Sequence, residues 1–547
     1  MKKNLTFLAG LLIVLAACQS KESADLPAKS PSLKSANLPA KNPWLTTSVY
    51  PTSHHNPGQT DASPVNGPTK SKILKKSDIK TVAGLFNSQP VVKHIGKDRI
   101  LIVAGTLGVR KIYATGDAFD EISFTPYPGF EKLAKKTNSK SLGAIIKKLD
   151  AARKKKDDAA ILSVSQDFDN LGLSFRTVAN GVYHFVDKDQ FHYCVFGGVN
   201  LLKSTDKGKV RAPLQVVKSV DVTKQLPPEL AKKVKRIIGA GMTYDGNIAV
   251  AAPGMVALFN RDLEMLDFIT FPGEFVDNSI AIDESGIYVV SSKYMYKLAW
   301  TGKKLSYAEK DGGWKSPYNT MDPEVALKMG AASRGSGTTP ALMGHGDDED
   351  KLVIISDADI NGTNLTAFWR NEIPEDFKQI PGTLSRRIAG QIPFEMSKLT
   401  AEASAVIRGY GVILANSTFE QPSKKMGDFI GNIFTAGVTR PAPTGLQKFE
   451  WDPKANKFSV VWSDRTIDNT DWMVPVVTKN NILYLPSKKG LAYEYVALDW
   501  NTGKRIASWK MPTDSTFYNT SLGIAYFLED GDLIFGGFFN TKRVNLD

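Results

Sequence analysis

"GAGMTYDGNIAVAAPGMVALFNRDLEML", residues 239–266, decides the fold. It alternates runs of about five small, apolar or β-branched residues with short turns, Tyr-Asp-Gly-Asn, Pro-Gly and Asn-Arg-Asp, which reads as a tight antiparallel meander. The runs are too short for helices and too closely spaced for crossover connections. The pattern returns in "DNSIAIDESGIYVVSSKYMYKLAWTGKKL" (277–305), and again over 336–370, 401–417, 472–511 and 519–539. A weaker copy, "FRTVANGVYHFVDKDQFHYCVFGGVNLL" (175–202), comes before them. A four-stranded unit recurring every ~35 to 70 residues predicts an all-β fold, a β-propeller of four-stranded blades. Seven blades is the favoured count, with six or eight as alternatives. The strand-like run over residues 98–114 is expected to complete the last blade beside the C-terminal strands, closing the ring and removing its exposed edges.

Between that run and the first repeat lies a different kind of sequence. Over residues 131–162, Leu142, Ile145, Ile146 and Leu149 recur at helical spacing, with Lys and Arg filling the other positions. This predicts a Lys-rich helical insertion over about 128–162. It also accounts for much of the formal net charge of +13. Lysines on the outer face of an amphipathic helix are explained by solvation, and an anionic envelope polymer is the partner such a face would suit. No zinc-ligand spacing, helix-turn-helix signal or interleaving of aromatic and basic residues accompanies them, so no nucleic-acid partner is expected.

The N-terminus carries the clearest address. Lys2 and Lys3 precede an apolar run from Leu5 to Leu15, too short to span a bilayer and of the length of a secretory signal. Leu15-Ala16-Ala17-Cys18 resembles the bacterial lipobox, which implies removal of a signal peptide, residues 1–17, and acylation of Cys18. Two or more acyl chains anchor a protein stably, so the lipid membrane becomes a partner through Cys18. Gln19, where an Asp would retain the protein at the inner membrane under the enterobacterial rule, implies the outer membrane, facing the periplasm or the cell surface. Residues 18–48, with the near repeats LPAKSP and LPAKNP, are rich in Ser, Pro, Ala and Lys and read as a flexible tether. Loss of two lysines with the signal leaves a charge of +11, from +13. Residues 49–547 then form a single propeller domain. Of the two cysteines, Cys18 takes the lipid and Cys194 stands alone, so no internal disulfide is expected.

Two resemblances follow from quoted segments. "YPTSHHNPGQTDASPVNGPTKSKI" (50–73) resembles the stretch that leads into the first blade of propellers of the pyrroloquinoline-quinone type. "DNSIAIDESGIYVVSS" (277–292) resembles blades of the six-bladed lactonase and gluconolactonase superfamily. The first resemblance implies a quinone, but the chain has no Cys-Cys pair, no tryptophan recurring at one blade position and no Cys-x-x-Cys-His, so neither quinone nor haem is expected. The second implies a calcium ion on the propeller axis, held by oxygen side chains where innermost strands begin. Those positions here are Asn278, Thr338, Thr339, Glu402, Asp471 and Asn519. An ion among them would polarise an ester or lactone carbonyl; the plainer reading is a polar lining for a water-filled channel.

Six histidines bound the acid–base chemistry. His54 and His55, with Asp61 seven residues beyond His54, lie either in a segment that dips towards the channel or in a solvated loop packed between blades. His184 and His192 alternate with aromatics and are expected to be packed, and His345 is expected in an exposed hairpin. Asp357, Asp359 and Asn361 alternate like a calcium loop, but the Gly and distal Glu are out of register, leaving a turn as their reading. No Ser-His-Asp set and no Gly-x-Ser-x-Gly is present. The function expected is therefore a ligand- or protein-binding module in the cell envelope, its partner an envelope protein, a glycan or a small ligand. A calcium-dependent ester or lactone hydrolase is the alternative.

Overall fold

Eight antiparallel sheets follow one another along the chain, each a meander running outward from a short innermost strand. In the computed structural model, residues 37–170, 180–331, 333–399, 402–423, 429–471, 474–521 and 523–546 are described. The expected signal peptide, Cys18 and the expected tether as far as residue 36 lie outside them. Blade 1 comprises Val91–Ile95, Asp98–Ala104, Gly108–Tyr113 and Asp120–Pro126; blade 2, His184–Val186, His192–Phe196, Asn200–Thr205 and Gln215–Asp221. Blade 3 spans Gly239–Met242 to Met265–Thr270, blade 5 Ala341–Met343 to Ile388–Pro393, and blade 6 Val406–Arg408 to Lys457–Asp468. In blade 4, which starts at Ala281–Asp283, two short strands, Leu305–Ser306 and Trp314–Pro317, share the outer position. Blade 7 runs from Val476–Val477 to Arg505–Lys510, with Lys72–Ile73 added parallel to its outer strand.

Blade 8 closes the ring. Tyr526–Phe527, Leu533–Phe535 and Asn540–Val544 supply three strands, and Ile79–Ala83 supplies the fourth, in register from Ile79 opposite Val544 to Ala83 opposite Asn540. Both chain ends thus share one sheet, as expected, but the closing strand is not the one expected. Residues 98–114 are the two central strands of blade 1, and this is the blade that the favoured count of seven leaves out. Only two strands of blade 1 stand out in the sequence, because its innermost strand, VVKHI, is only five residues long and its outermost, DEISFTP, carries just two large apolar residues.

Apolar side chains pack between neighbouring sheets, so both faces of a blade are buried and its central strands read as unbroken apolar runs. Blades 5 and 6 share one cluster around Trp369, Trp451, Phe449 and Phe394, and blades 7 and 8 another around Tyr484, Trp509 and Phe535. A second device recurs at five of the eight junctions: a cation on the third strand reaches the next blade's outer turn. Lys111 Nζ meets Asp206 Oδ2 at 2.7 Å, Lys203 Nζ meets Asp262 Oδ1 at 3.1 Å, and Lys297 Nζ meets Asn371 Oδ1 at 3.4 Å. Lys448 Nζ sits 4.9 Å from the Trp500 ring centroid, and Arg543 Nη1 donates to Ala118 O at 2.8 Å. The solvated lysine face expected of the insertion is therefore not where all the positive charge goes.

Among the described residues the insertion is three helices, α1 (Glu131–Lys136), α2 (Ser139–Lys155) and α3 (Asp158–Asn170), extending beyond the expected 162. Asn138 caps α2, accepting from the N–H groups of Lys140 and Ser141. Leu142, Ile145 and Leu149 face the propeller with Phe434, Phe538 and Phe539, while Lys140, Lys147, Lys154 and Lys155 stay exposed. The helices cover the propeller face formed by the connections into each innermost strand. The opposite face carries the turns between the first and second strands, and there Asn37 donates to Asp347 and Asp348, and Tyr244 donates to Ala40 O.

Candidate functional site

An innermost strand has one edge bonded within its blade and one edge facing the axis, where its N–H and C=O groups need partners. Here the chain supplies them itself. Residues 50–63 thread the axial channel, and the N–H groups of Val92, Val186, Ile282, Leu342, Ile407 and Val477 donate to the carbonyls of Tyr50, Pro51, Pro57, Gly58, Thr60 and Asp61 at 2.8 to 3.2 Å. The Tyr50 hydroxyl donates to Phe527 O at 2.7 Å, and Asn42 Nδ2 donates to Met242 O at 2.8 Å. All eight blades are thereby tied to one strand-like plug, from Asn42 to Asp61.

The plug takes an irregular path to make these contacts. His54, His55, Gln59 and Asp61 all have positive φ, between 52° and 70°. A non-glycine residue there costs on the order of 1 kcal/mol or more, so the surroundings must enforce it. Asp61 is the centre of that enforcement: its Oδ2 lies 2.7 Å from His54 Nδ1 and its Oδ1 lies 3.3 Å from His55 Nδ1, all three side chains being buried. Burial raises the Asp61 carboxyl, but the charge and hydrogen bond of His54, with those of His55, outweigh it and hold the group below the usual carboxylate range. Burial lowers His55, against its hydrogen bond to the Asp61 carboxylate. Tyr183 stacks on His54 with centroids 5.8 Å apart, and Tyr526 stacks on His55 at 4.4 Å.

His54, His55 and Asp61 are thus brought together in the channel, where the sequence favoured a solvated loop packed between blades. The two tyrosines were missed; nothing in spacing marks them, because each belongs to an ordinary innermost strand or its approach.

The other six candidates lie where innermost strands begin, but they do not converge as a set. Asn278 Oδ1 accepts from Tyr183 OH (2.6 Å), Thr339 Oγ1 (2.9 Å) and Ser279 N–H (2.8 Å), and its Nδ2 donates to Gly337 O. Thr338 is buried against Ser336 Oγ at 2.9 Å. Asp471 accepts from Thr520 N–H, Thr520 Oγ1 and Ser521 Oγ at 2.8 to 3.0 Å. Asn519 Oδ1 accepts from the Phe538 and Ser521 N–H groups, and its Nδ2 donates to Thr516 O. Glu402 is the exception: Oε2 accepts from Ser333 Oγ at 2.7 Å, Oε1 has no partner, and burial pushes the carboxyl up to about 7.

A calcium ion needs six to eight oxygen ligands with lone pairs to give. In this set the amide and carboxylate oxygens of Asn278, Asp471 and Asn519 already accept N–H and O–H donors. The residues present do not fit the ion, and among the described residues no group of three or more His, Cys, Asp or Glu side chains is placed to hold a metal.

Three of the remaining histidines are structural. His184 and His192 are buried and meet at 3.0 Å, and burial lowers His184 to about 4. His345, expected in an exposed hairpin, is buried instead: its Nε2 lies 3.1 Å from Leu342 O, and burial lowers it to about 3. Asp357 sits inside a strand, accepting from Asn364, Thr366 and Gln391, and Asp359 and Asn361 form the turn that follows.

Beside the plug, on the face where Asn37 lies, opens a groove of about 460 Å³. Leu38, Pro39, Leu45, Val49, Pro51, Pro57, Ala62 and Pro64 make its walls mostly apolar, and His55, Asn56, His94 and Glu529 add polar groups. His55 Nε2 has no hydrogen-bond partner. An apolar cleft of several hundred Å³ with a few placed polar groups is the usual form of a small-ligand site.

No protein-family model matches the chain. An uncharacterized protein of Archaeoglobus fulgidus is 32% identical over 309 residues, which cover 52% of this chain and 56% of that one. The chain spans about half the length of the curated relative it matches. Among solved structures it resembles a quinohemoprotein alcohol dehydrogenase from Comamonas testosteroni, with 10% identity and a TM-score of 0.49 over 90% of this chain and 80% of that one. It also resembles a europium-containing methanol dehydrogenase, with 9% identity and a TM-score of 0.48 over 91% of each chain. A candidate 6-phosphogluconolactonase from Bacteroides fragilis gives 12% identity and a TM-score of 0.36 over 60% of this chain and 86% of that one. These likenesses are of fold alone, and the eight blades are read from the chain's own sheets.

Proposed function

We propose that the chain is a lipid-anchored envelope protein whose propeller is a binding module, with a small, largely apolar ligand seated in the groove beside the plug. One observation carries the reading: residues 50–63 fill the axial channel with the chain's own backbone, and the groove, with His55 and Pro57 in its lining, opens beside them. The anchor at Cys18, the outer membrane as its site and the absence of a nucleic-acid partner enter the reading from the sequence. The test is thermal melting of the full-length chain carrying Cys18→Ser against a library of small apolar molecules, repeated with Val49→Trp to fill the groove. Ligands that raise the melting temperature of the open form but not of Val49→Trp support the reading. Ligands that act equally on both, or none at all, overturn it.

Hydrolysis of an ester or lactone has one observation in its favour. The His55 ring is oriented by Asp61 through Nδ1 at the edge of the groove, the pairing that prepares an imidazole to act as a general base once its buried Nε2 is uncovered. No step runs through calcium, because the oxygens of Asn278, Asp471 and Asn519 that would hold it are engaged. Turnover of an ester or lactone panel that disappears in His55→Gln while melting stays cooperative would favour this reading over binding.

A further inference from the structure

The outward side of the helical insertion carries a feature that neither the blades nor the groove explains. In α2, Lys140, Lys147 and Lys154 recur every seven residues, with Lys148 and Lys155 beside the second and third. On a helix of 3.6 residues per turn all five fall within an arc of about 120°, across from Leu142, Ile145 and Leu149. All five are exposed. Lys148 pairs with Asp167 at 3.1 Å, and the other four make no ion pair among the described residues. Asp150, the one acid of α2, is turned to the propeller instead, accepting from Ser515 Oγ at 2.6 Å and from Thr516 N–H and Oγ1 at 2.7 and 2.9 Å.

Helix stability does not account for the row. Cations favour the last turn of a helix, which suits Lys154 and Lys155, but Lys140 stands in the first turn, where the helix dipole opposes it. Gathering like charge on one side adds self-repulsion, which a polyanion relieves. The spacing selects among polyanions. Seven residues of helix rise about 10.5 Å, so the row presents a cation, or a pair, at that interval along one line. One disaccharide of an extended, β-linked glycan covers much the same distance. A single-stranded nucleic acid would call for aromatic side chains between the cations, and α2 contains none. A bilayer surface would call for large apolar side chains beside them, whereas the exposed non-polar residues of α2 are Gly143, Ala144 and Ala151.

We propose that the outward side of α2 binds an acidic polysaccharide, one with a carboxylate on each disaccharide, laid along the helix so that successive uronates meet Lys140, Lys147 and Lys154. Lys148 and Lys155 then add a second cation at two of the three steps. This surface is independent of the groove, which opens on the opposite face of the propeller.

The test is titration calorimetry of the full-length chain carrying Cys18→Ser with hyaluronan, a β-linked probe with one uronate per disaccharide. Neutral dextran, a single-stranded oligonucleotide and phosphatidylglycerol vesicles are run beside it, the charged probes at equal concentration of charge. Hyaluronan is expected to bind, more weakly as salt is raised, and dextran not at all. Lys140→Glu, Lys147→Glu and Lys154→Glu combined should weaken hyaluronan binding by about tenfold or more, and the same three positions changed to Gln should weaken it too. Lys224→Glu, Lys303→Glu and Lys457→Glu, at exposed positions away from the insertion, make the same change in net charge and should move the affinity by less than about twofold. No binding of hyaluronan, tighter binding of the oligonucleotide or the vesicles, a row variant that binds undiminished, or equal losses in the two Glu triples would overturn the proposal.

Discussion

Blade 6 and the plug touch where Ile407 donates its N–H to Thr60 O, yet the two are held in place differently. Blade 6 pairs its own strands, Val406 opposite Ile413 and Val412 opposite Phe449, and its side chains pack into the cluster around Trp451. The plug is irregular, carries four non-glycine residues in the left-handed region and borrows its partners from eight different sheets. A blade is specified by local pattern; the plug exists because unpaired strand edges surround it. The blades should therefore fail globally when broken, and the plug locally.

Trp451→Ala should produce the largest effect. The indole is fully buried and donates to Asp350 Oδ2 at 2.7 Å, so the variant loses packing and strands a carboxylate, costing about 4 kcal/mol by denaturant unfolding. Asp61→Ala should come next, at about 3 kcal/mol, because both imidazoles lose the group that orients them. Its signature is regional: amides of the plug should exchange faster while the central strands of blade 6 stay protected. A global loss of protection in Asp61→Ala would break the distinction.

Acid sharpens the comparison. His55, His184, His192 and His345 are buried with folded values lowered from the ordinary 6.5. The unfolded chain therefore binds more protons as pH falls below about 6.5, and stability, complete above that, is lost towards pH 4 at up to about 1.4 kcal/mol per pH unit for each imidazole. The lowered carboxyl of Asp61 acts in the same direction. His55→Gln should remove the plug's share of that slope and leave the blades' share, measured as melting temperature against pH.

The smallest effect concerns strain. Lys207, exposed in an outer turn of blade 2, has φ 55°, and Lys207→Gly should stabilise by about 0.5 to 1 kcal/mol. Gln59→Gly in the plug, at φ 57°, should gain nothing, since it also removes the bond from Gln59 Nε2 to Asn56 O.

The blades were legible because each repeats a pattern that local physics reads: apolar runs, then turn residues such as Asp245-Gly246 and Asp283-Glu284-Ser285-Gly286. Blade 1 was read only in part, since its outer strand carries Asp120, Glu121 and Ser123, and the closing strand Ile79–Ala83 is too short and polar to declare itself. His54, His55 and Asp61 were visible as residue types but not as a cluster, because the left-handed backbone that folds them together is imposed by the channel. The buried Arg153 was read with the solvated face of its helix, and the lysines that tie blade to blade were not singled out. On an amphipathic helix a cation at the edge of the apolar stripe has no sequence signal to say which way it turns.

The central claim is that the chain fills its own axial channel, and hydrogen exchange read residue by residue tests it most directly. The account predicts slow exchange at Ser53 and Ser63, which donate to His184 O and Val477 O, together with Ile282, Leu342, Ile407 and Val477, which donate to the plug. Fast exchange at all six, with the central strands of the blades still protected, would mean an open channel and would contradict it.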